Sequence, residues 1–236
     1  MRASIALPKG KFFMLRRVFF ALLILAFTMP VVASADQKPT YKGSLSASEQ
    51  AFVKSIQADL GTRFAHSADA IKAGYFRYTN VDDTGAISYA NLQWTSADIR
   101  HPSQLWYDVN GNLLGADFSE PVTSATKRPA VFGVNPGRWW QFDEHIHWIG
   151  TDPKTGKPTY DNYALKPDFV KAGGDLKHPS AATLVKMGKV KSASSVTKIF
   201  DFPEVWDLIV WVKPNPSGAF AYKNPLVKTT ASPKPM

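Results

Sequence analysis

The spacing of the apolar residues changes once along this chain, near Tyr75, and that change limits the fold more than any other feature. Before it, Phe52, Val53, Ile56 and Leu60 recur at helical spacing. Ser46-Ala47-Ser48-Glu49 supplies a capping box ahead of them, which predicts a helix over residues 47–60 with Gly61 as its stop. A second short helix is expected over 67–73, ending at Gly74. From Tyr75 onward the pattern is of strands, over residues 75–79, 86–94, 105–109, 112–118, 138–149, 196–202 and 205–212. Asp82-Asp83-Thr84-Gly85 and Asn110-Gly111 read as turns, and Asn110-Gly111 is a strong hairpin signal. Residues 119–137 and 150–180 read as loop, and 181–189 as a short helix. The expected class is α+β, with N-terminal helices followed by a mostly antiparallel β-sheet.

The same sheet carries an internal similarity. Shifted by 63, Glu144-His145-Ile146-His147-Trp148-Ile149 falls on Asp207-Leu208-Ile209-Val210-Trp211-Val212. His-Pro-Ser also occurs twice, at 101–103 and 178–180. Two readings follow: related halves over 75–163 and 164–226, or two strands alike in composition because each fills a buried slot.

An address precedes the fold. Arg16 and Arg17 lead into an uncharged run over 18–32, and Ala33-Ser34-Ala35 then matches a signal-peptidase site. At about 15 residues the run falls short of the roughly 20 that span a bilayer. Residues 1–35 are therefore expected to be a signal peptide, cleaved near Ala35, with Met14 as an alternative start. Residues 36–45 then form a flexible segment, 46–228 a single α+β domain and 229–236 a flexible tail. The mature protein is expected to be periplasmic or secreted, and soluble. Five basic residues and no acidic one lie before residue 36, so the net charge of +9 falls to +4 in the remainder. That mild excess of lysine suits solubility and argues against nucleic acid as a partner. With no cysteine in the chain, disulfides, thiolate metal sites and thiol catalysis are excluded.

His145 and His147 are the residues that point to chemistry. Strand side chains alternate, so residues two apart share a face, with the imidazoles roughly 6–7 Å apart. Two neutral imidazoles suit a divalent transition metal, which needs one or two further ligands. His101 and His178 are the candidates to complete it, and Asp143 or Glu144 the candidates for a general base. The bland alternative is two sheet histidines bonded to backbone or water. Asn80, Asp82 and Thr84 resemble the start of a calcium loop, but the twelfth position is Asn91, so a turn explains them. The functional reading is an exported binding protein of unknown process, taking a metal ion or small ligand at the His-x-His strand. A metal-dependent enzyme using the same histidines, and a self-assembling protein without a ligand site, are the alternatives. Catalysis is the less favoured reading.

Overall fold

The computed structural model describes residues 37–124 and 127–229, so the expected signal peptide lies outside the described residues, as does the tail beyond Thr229. The first element is α1 (Ala47–Arg63). Ser46 caps it: the Glu49 amide donates to the Ser46 hydroxyl at 3.2 Å, and the Ser46 amide donates to the Glu49 carboxylate at 2.9 Å. Gly61 does not end this helix. It sits in the last turn with open space around it, and the chain leaves helical geometry only where Phe64 turns into the core. The short helix α2 (Ser67–Lys72) follows, and Gly74 takes φ +88° beyond it.

The strands form two antiparallel sheets. The larger contains β1 (Phe76–Arg77), β2 (Ile87–Ala90), β3 (Gln104–Tyr107), β4 (Leu113–Pro121), β5 (Trp140–Phe142) and β9 (Val205–Trp211), in the order β1-β2-β3-β4-β9-β5. The smaller contains β6 (His145–Thr151), β7 (Pro158–Leu165) and β8 (Val196–Phe202), in the order β7-β6-β8. The stretch 150–180, expected as loop, thus supplies β7 and the helix α3 (Lys166–Lys171). Polar residues and Pro158 mask the alternation of β7, which is half-exposed along most of its length. The helix α4 (Ala181–Lys186) follows, capped by Ser180.

A single long strand over 138–149 is not what forms. Asp143-Glu144 divides it into β5 and β6, which belong to different sheets. Pro203-Glu204 divides β8 from β9 in the same way. The pairing register carries through the break: Phe142 faces Val205 on one side, and His145 faces Phe202 on the other. The four strands are therefore one antiparallel ribbon folded over, with an arm in each sheet. Because two residues intervene at each crossing, the side-chain parity switches there. Trp140 and Phe142 share the inner face of one arm, and His145 and His147 that of the other.

Four layers result. On the outer face of the larger sheet, Leu105, Tyr107, Ala116, Phe118, Leu208 and Val210 pack with Phe52, Val53, Ile56 and Leu60 of α1 in the main apolar core. The smaller sheet turns Ile146, Trp148 and Ala164 the other way, onto Phe169 of α3 and Leu184 of α4. Between the sheets, Tyr78 and Ala90 pack with Phe200. At about 25 cal/mol per Å² these apolar layers hold the fold without any cysteine. β6 and β9 each occupy an interior position in their sheets, and β9 is buried along its whole length. Their similarity matches that shared placement; their neighbouring strands differ, and the two lie in different sheets.

Residues 37–41, expected to be loose, are hydrogen-bonded to the main body. Gln37 pairs with Gln141, and the amides of Thr40 and Tyr41 donate to the Gly137 carbonyl at 2.8 and 3.0 Å.

Candidate functional site

Folding the ribbon over leaves a cleft of about 250 Å³ between the two sheets. His145, His147 and Phe202 come from the smaller sheet; Trp106, Asp117, Phe142, Asp207 and Ile209 come from the larger. Tyr78 and Tyr222 close its sides. A shallower groove of about 520 Å³, lined by Phe142, Asp143, Tyr163 and Leu165, reaches the same two histidines from outside. The histidines therefore stand where the two spaces meet.

Their geometry is specific. Nδ1 of His145 lies 2.6 Å from the Asp143 carbonyl oxygen, and Nδ1 of His147 lies 3.1 Å from that of Asn162. A carbonyl oxygen only accepts, so each Nδ1 carries its proton, an assignment made from these partners. The two Nε2 atoms face one another at 3.0 Å. With both rings neutral in these tautomers the two lone pairs would oppose one another, and a proton on one Nε2 or a bound cation relieves that repulsion. Burial, and then the neighbouring His145, pushes the His147 pKa down to about 3, so its ring keeps that lone pair at neutral pH. Phe202 stacks on His145 and Phe200 on His147, at centroid distances of 4.8 and 5.5 Å, which holds both rings in place. The edge of Tyr78 meets His147 at 5.0 Å.

His101 and His178 do not join this pair. Each sits in a local Asp-x-x-His-Pro-Ser turn instead. Asp98 accepts from Nδ1 of His101 at 2.8 Å and Asp175 does the same for His178 at 3.0 Å. His101 also stacks on Trp94 with centroids 4.0 Å apart. The repeated His-Pro-Ser is thus a turn device used twice, and leads into β3 in one case and α4 in the other. Among the described residues, no group of three or more His, Asp or Glu is arranged to hold an ion. Glu144, a candidate base, is held by Lys166 in an ion pair at the ribbon's bend.

The opposite wall carries residues that the motif search missed. Asp117 and Asp207 lie on the neighbouring strands β4 and β9, where Asp117 pairs with Ile209 and Ser119 with Asp207, so the carboxylates are diagonal neighbours on one face. They are 5% and 1% exposed. Trp106 donates its indole N–H to Oδ2 of Asp117 at 3.0 Å, while Oδ1 of Asp117 has no hydrogen-bond partner among the described residues. The Ser119 hydroxyl donates to Asp207. Burial raises both pKa values, and the Asp207 charge pushes that of Asp117 further. A lone acid in the otherwise apolar run Val205–Trp211 was the available signal. Asp82, the third acid of the cleft, is spent on its turn, accepting from Thr84 and from the Ala86 amide.

A separate cavity of about 510 Å³ lies against residues 38–45 and 216–222. Its buried charge, Arg138, is already paired with Glu49 at 3.1 Å, so it offers less chemistry than the cleft. In comparison with known proteins, no family model, no curated protein and no solved structure matches this chain.

Proposed function

We propose that this is an exported binding protein, periplasmic or secreted, whose site is the cleft between the sheets and whose histidine pair takes a divalent transition metal. The observation that carries the reading is the pair of opposed Nε2 atoms, 3.0 Å apart, each with its Nδ1 committed to a carbonyl oxygen. An ion about 2.1 Å from both nitrogens would subtend an angle of roughly 90°. That angle suits adjacent positions of a tetragonal or octahedral shell better than a tetrahedral one, which favours Cu²⁺ or Ni²⁺ over Zn²⁺. With no third ligand of the His, Asp or Glu type among the described residues, the remaining positions stay open to water or to a small ligand entering the cleft. Stacking by Phe200 and Phe202 fixes the rings, as hydrogen bonds to the far ring nitrogen do for histidines that ligate metals.

Thermal melts of the mature protein with added Cu²⁺, Ni²⁺ or Zn²⁺ test this. The melting temperature is expected to rise with Cu²⁺ or Ni²⁺, by mass action on the folded state. The rise is expected to vanish in the His145→Ala/His147→Ala variant. An equal rise in that variant would reject the site.

A further inference from the structure

The wall facing the histidines poses a different chemical problem. An ionised carboxylate stripped of water is costly unless a cation or several donors compensate it. Here two deeply buried carboxyl groups lie diagonally across β4 and β9, and among the described residues no cation pairs with either. Among the described residues neither Asp117 nor Asp207 is in an ion pair, and no Lys or Arg lines the cleft. Oδ1 of Asp117 has no hydrogen-bond partner among the described residues, although the residue is only 5% exposed. Around the pair stand the rings of Trp106, Tyr78, Phe142 and Phe202. Carboxylates walled by aromatic faces are the chemistry that recognises an ammonium group, because a ring face attracts a cation and an ammonium group has three N–H donors to offer.

We propose that Asp117 and Asp207 bind the ammonium group of a small organic amine, with its apolar part lying among the aromatic side chains of the cleft. The cleft volume of about 250 Å³ restricts the occupant to a compact molecule. Binding supplies the cation that lets the buried carboxyls ionise, and offers a donor to Oδ1 of Asp117. This inference stands independently of metal at the histidines.

The indole N–H of Trp106, which donates to Asp117, is a built-in reporter. Titrations of ¹⁵N-labelled mature protein, kept metal-free with a chelator, would use benzylamine, cyclohexylamine and n-butylamine as probes. Benzyl alcohol serves as the uncharged control. We expect a saturable shift of the Trp106 resonance with at least one amine and none with benzyl alcohol. Asp117→Asn and Asp207→Asn, which keep side-chain size, are each expected to weaken the amine by about tenfold or more. Unchanged resonances of the other indoles would show that these variants fold. No saturation with any of the three amines, an equal response to benzyl alcohol, or undiminished affinity in both variants would overturn the proposal. Because the chelator removes metal throughout, failure here leaves the histidine reading intact, and failure of that reading leaves this one.

Discussion

Asp207 is the single charged side chain in β9, whose seven residues are all buried. Its pKa is pushed to about 7 by burial, with the Ser119 hydroxyl opposing, and that of Asp117 is raised further by the same burial and by Asp207. A raised carboxyl pKa means that the folded state holds the proton where the unfolded chain, near 3.8, has lost it. Stability contributed by the protonated pair is therefore complete below about pH 4, and declines as pH rises toward about 7. Asp207→Asn keeps the shape and removes the titration. It is expected to be more stable than the parent at pH 8 by on the order of 1–3 kcal/mol, with the gap closing near pH 4. Urea melts of both proteins across pH 4–8 check this, and a constant gap would contradict it. The two walls of the cleft differ in how visible they were. His145 and His147 share a face because strand alternation is local, so their spacing announced them. The meeting of Asp117 with Asp207 depends on β4 pairing with β9; their neighbours Ser119 and Asp207 are 88 residues apart, and no local pattern encodes that.

At the level of elements, the start of α1 does more than begin a helix. Glu49 closes the capping box with Ser46 and also accepts from the Arg138 guanidinium at 3.1 Å and the Asn135 amide at 3.2 Å. Both charges are buried, at 1% and 6% exposure. Burial alone would raise the Glu49 pKa, but Arg138 and the amides of Ser46 and Asn135 outweigh it and hold the carboxyl below its ordinary value. The helix is thereby tied to the loop that feeds β5, and so to the first arm of the ribbon. Ser46→Ala removes one cap acceptor, worth about 1 kcal/mol. Glu49→Gln retains a side chain of the same shape but strands the Arg138 charge, and is expected to cost about 3–5 kcal/mol. A double-mutant cycle with Arg138→Met is expected to recover part of that loss, and strict additivity in urea melts would rule the coupling out. The capping box was readable in the sequence because Ser46 and Glu49 stand at the required spacing. Arg138 was not, since its partner lies 89 residues away. Likewise Asp143-Glu144 gives no glycine or proline to mark the bend, so β5 and β6 read as one strand.

For the molecule as a whole, the folded ribbon makes the cleft a joint between two cores of unequal size. The larger sheet is anchored by α1 through Phe52, Ile56, Leu60, Phe118, Trp206 and Leu208. The smaller sheet rests on a lesser cluster built around Ile146, Trp148, Phe169 and Leu184. Between them lie Tyr78 and Ala90 with Phe200, the Phe76–Phe200 ring pair at 5.2 Å and the Tyr78–His147 edge contact at 5.0 Å. Arg77 also lies over Tyr160 and Lys198 over Phe76, and the Asp161 amide donates to the Tyr78 carbonyl at 3.1 Å. Opening free energies scale with the apolar burial and protected hydrogen bonds of each unit. The smaller sheet with α3 and α4 is therefore expected to open sub-globally, before the larger sheet with α1. Hydrogen exchange read by mass spectrometry should show amides of β6 and β8 exchanging faster than those of β4 and β9. The histidines lie on β6, so an ion bound there ties down the less stable unit selectively. Added Cu²⁺ or Ni²⁺ is then expected to slow exchange in β6–β8 while leaving the amides of α1 and β4 unchanged. Uniform protection across both sheets would mean that they open as one unit, and protection confined to α1 and β4 would place the ion elsewhere.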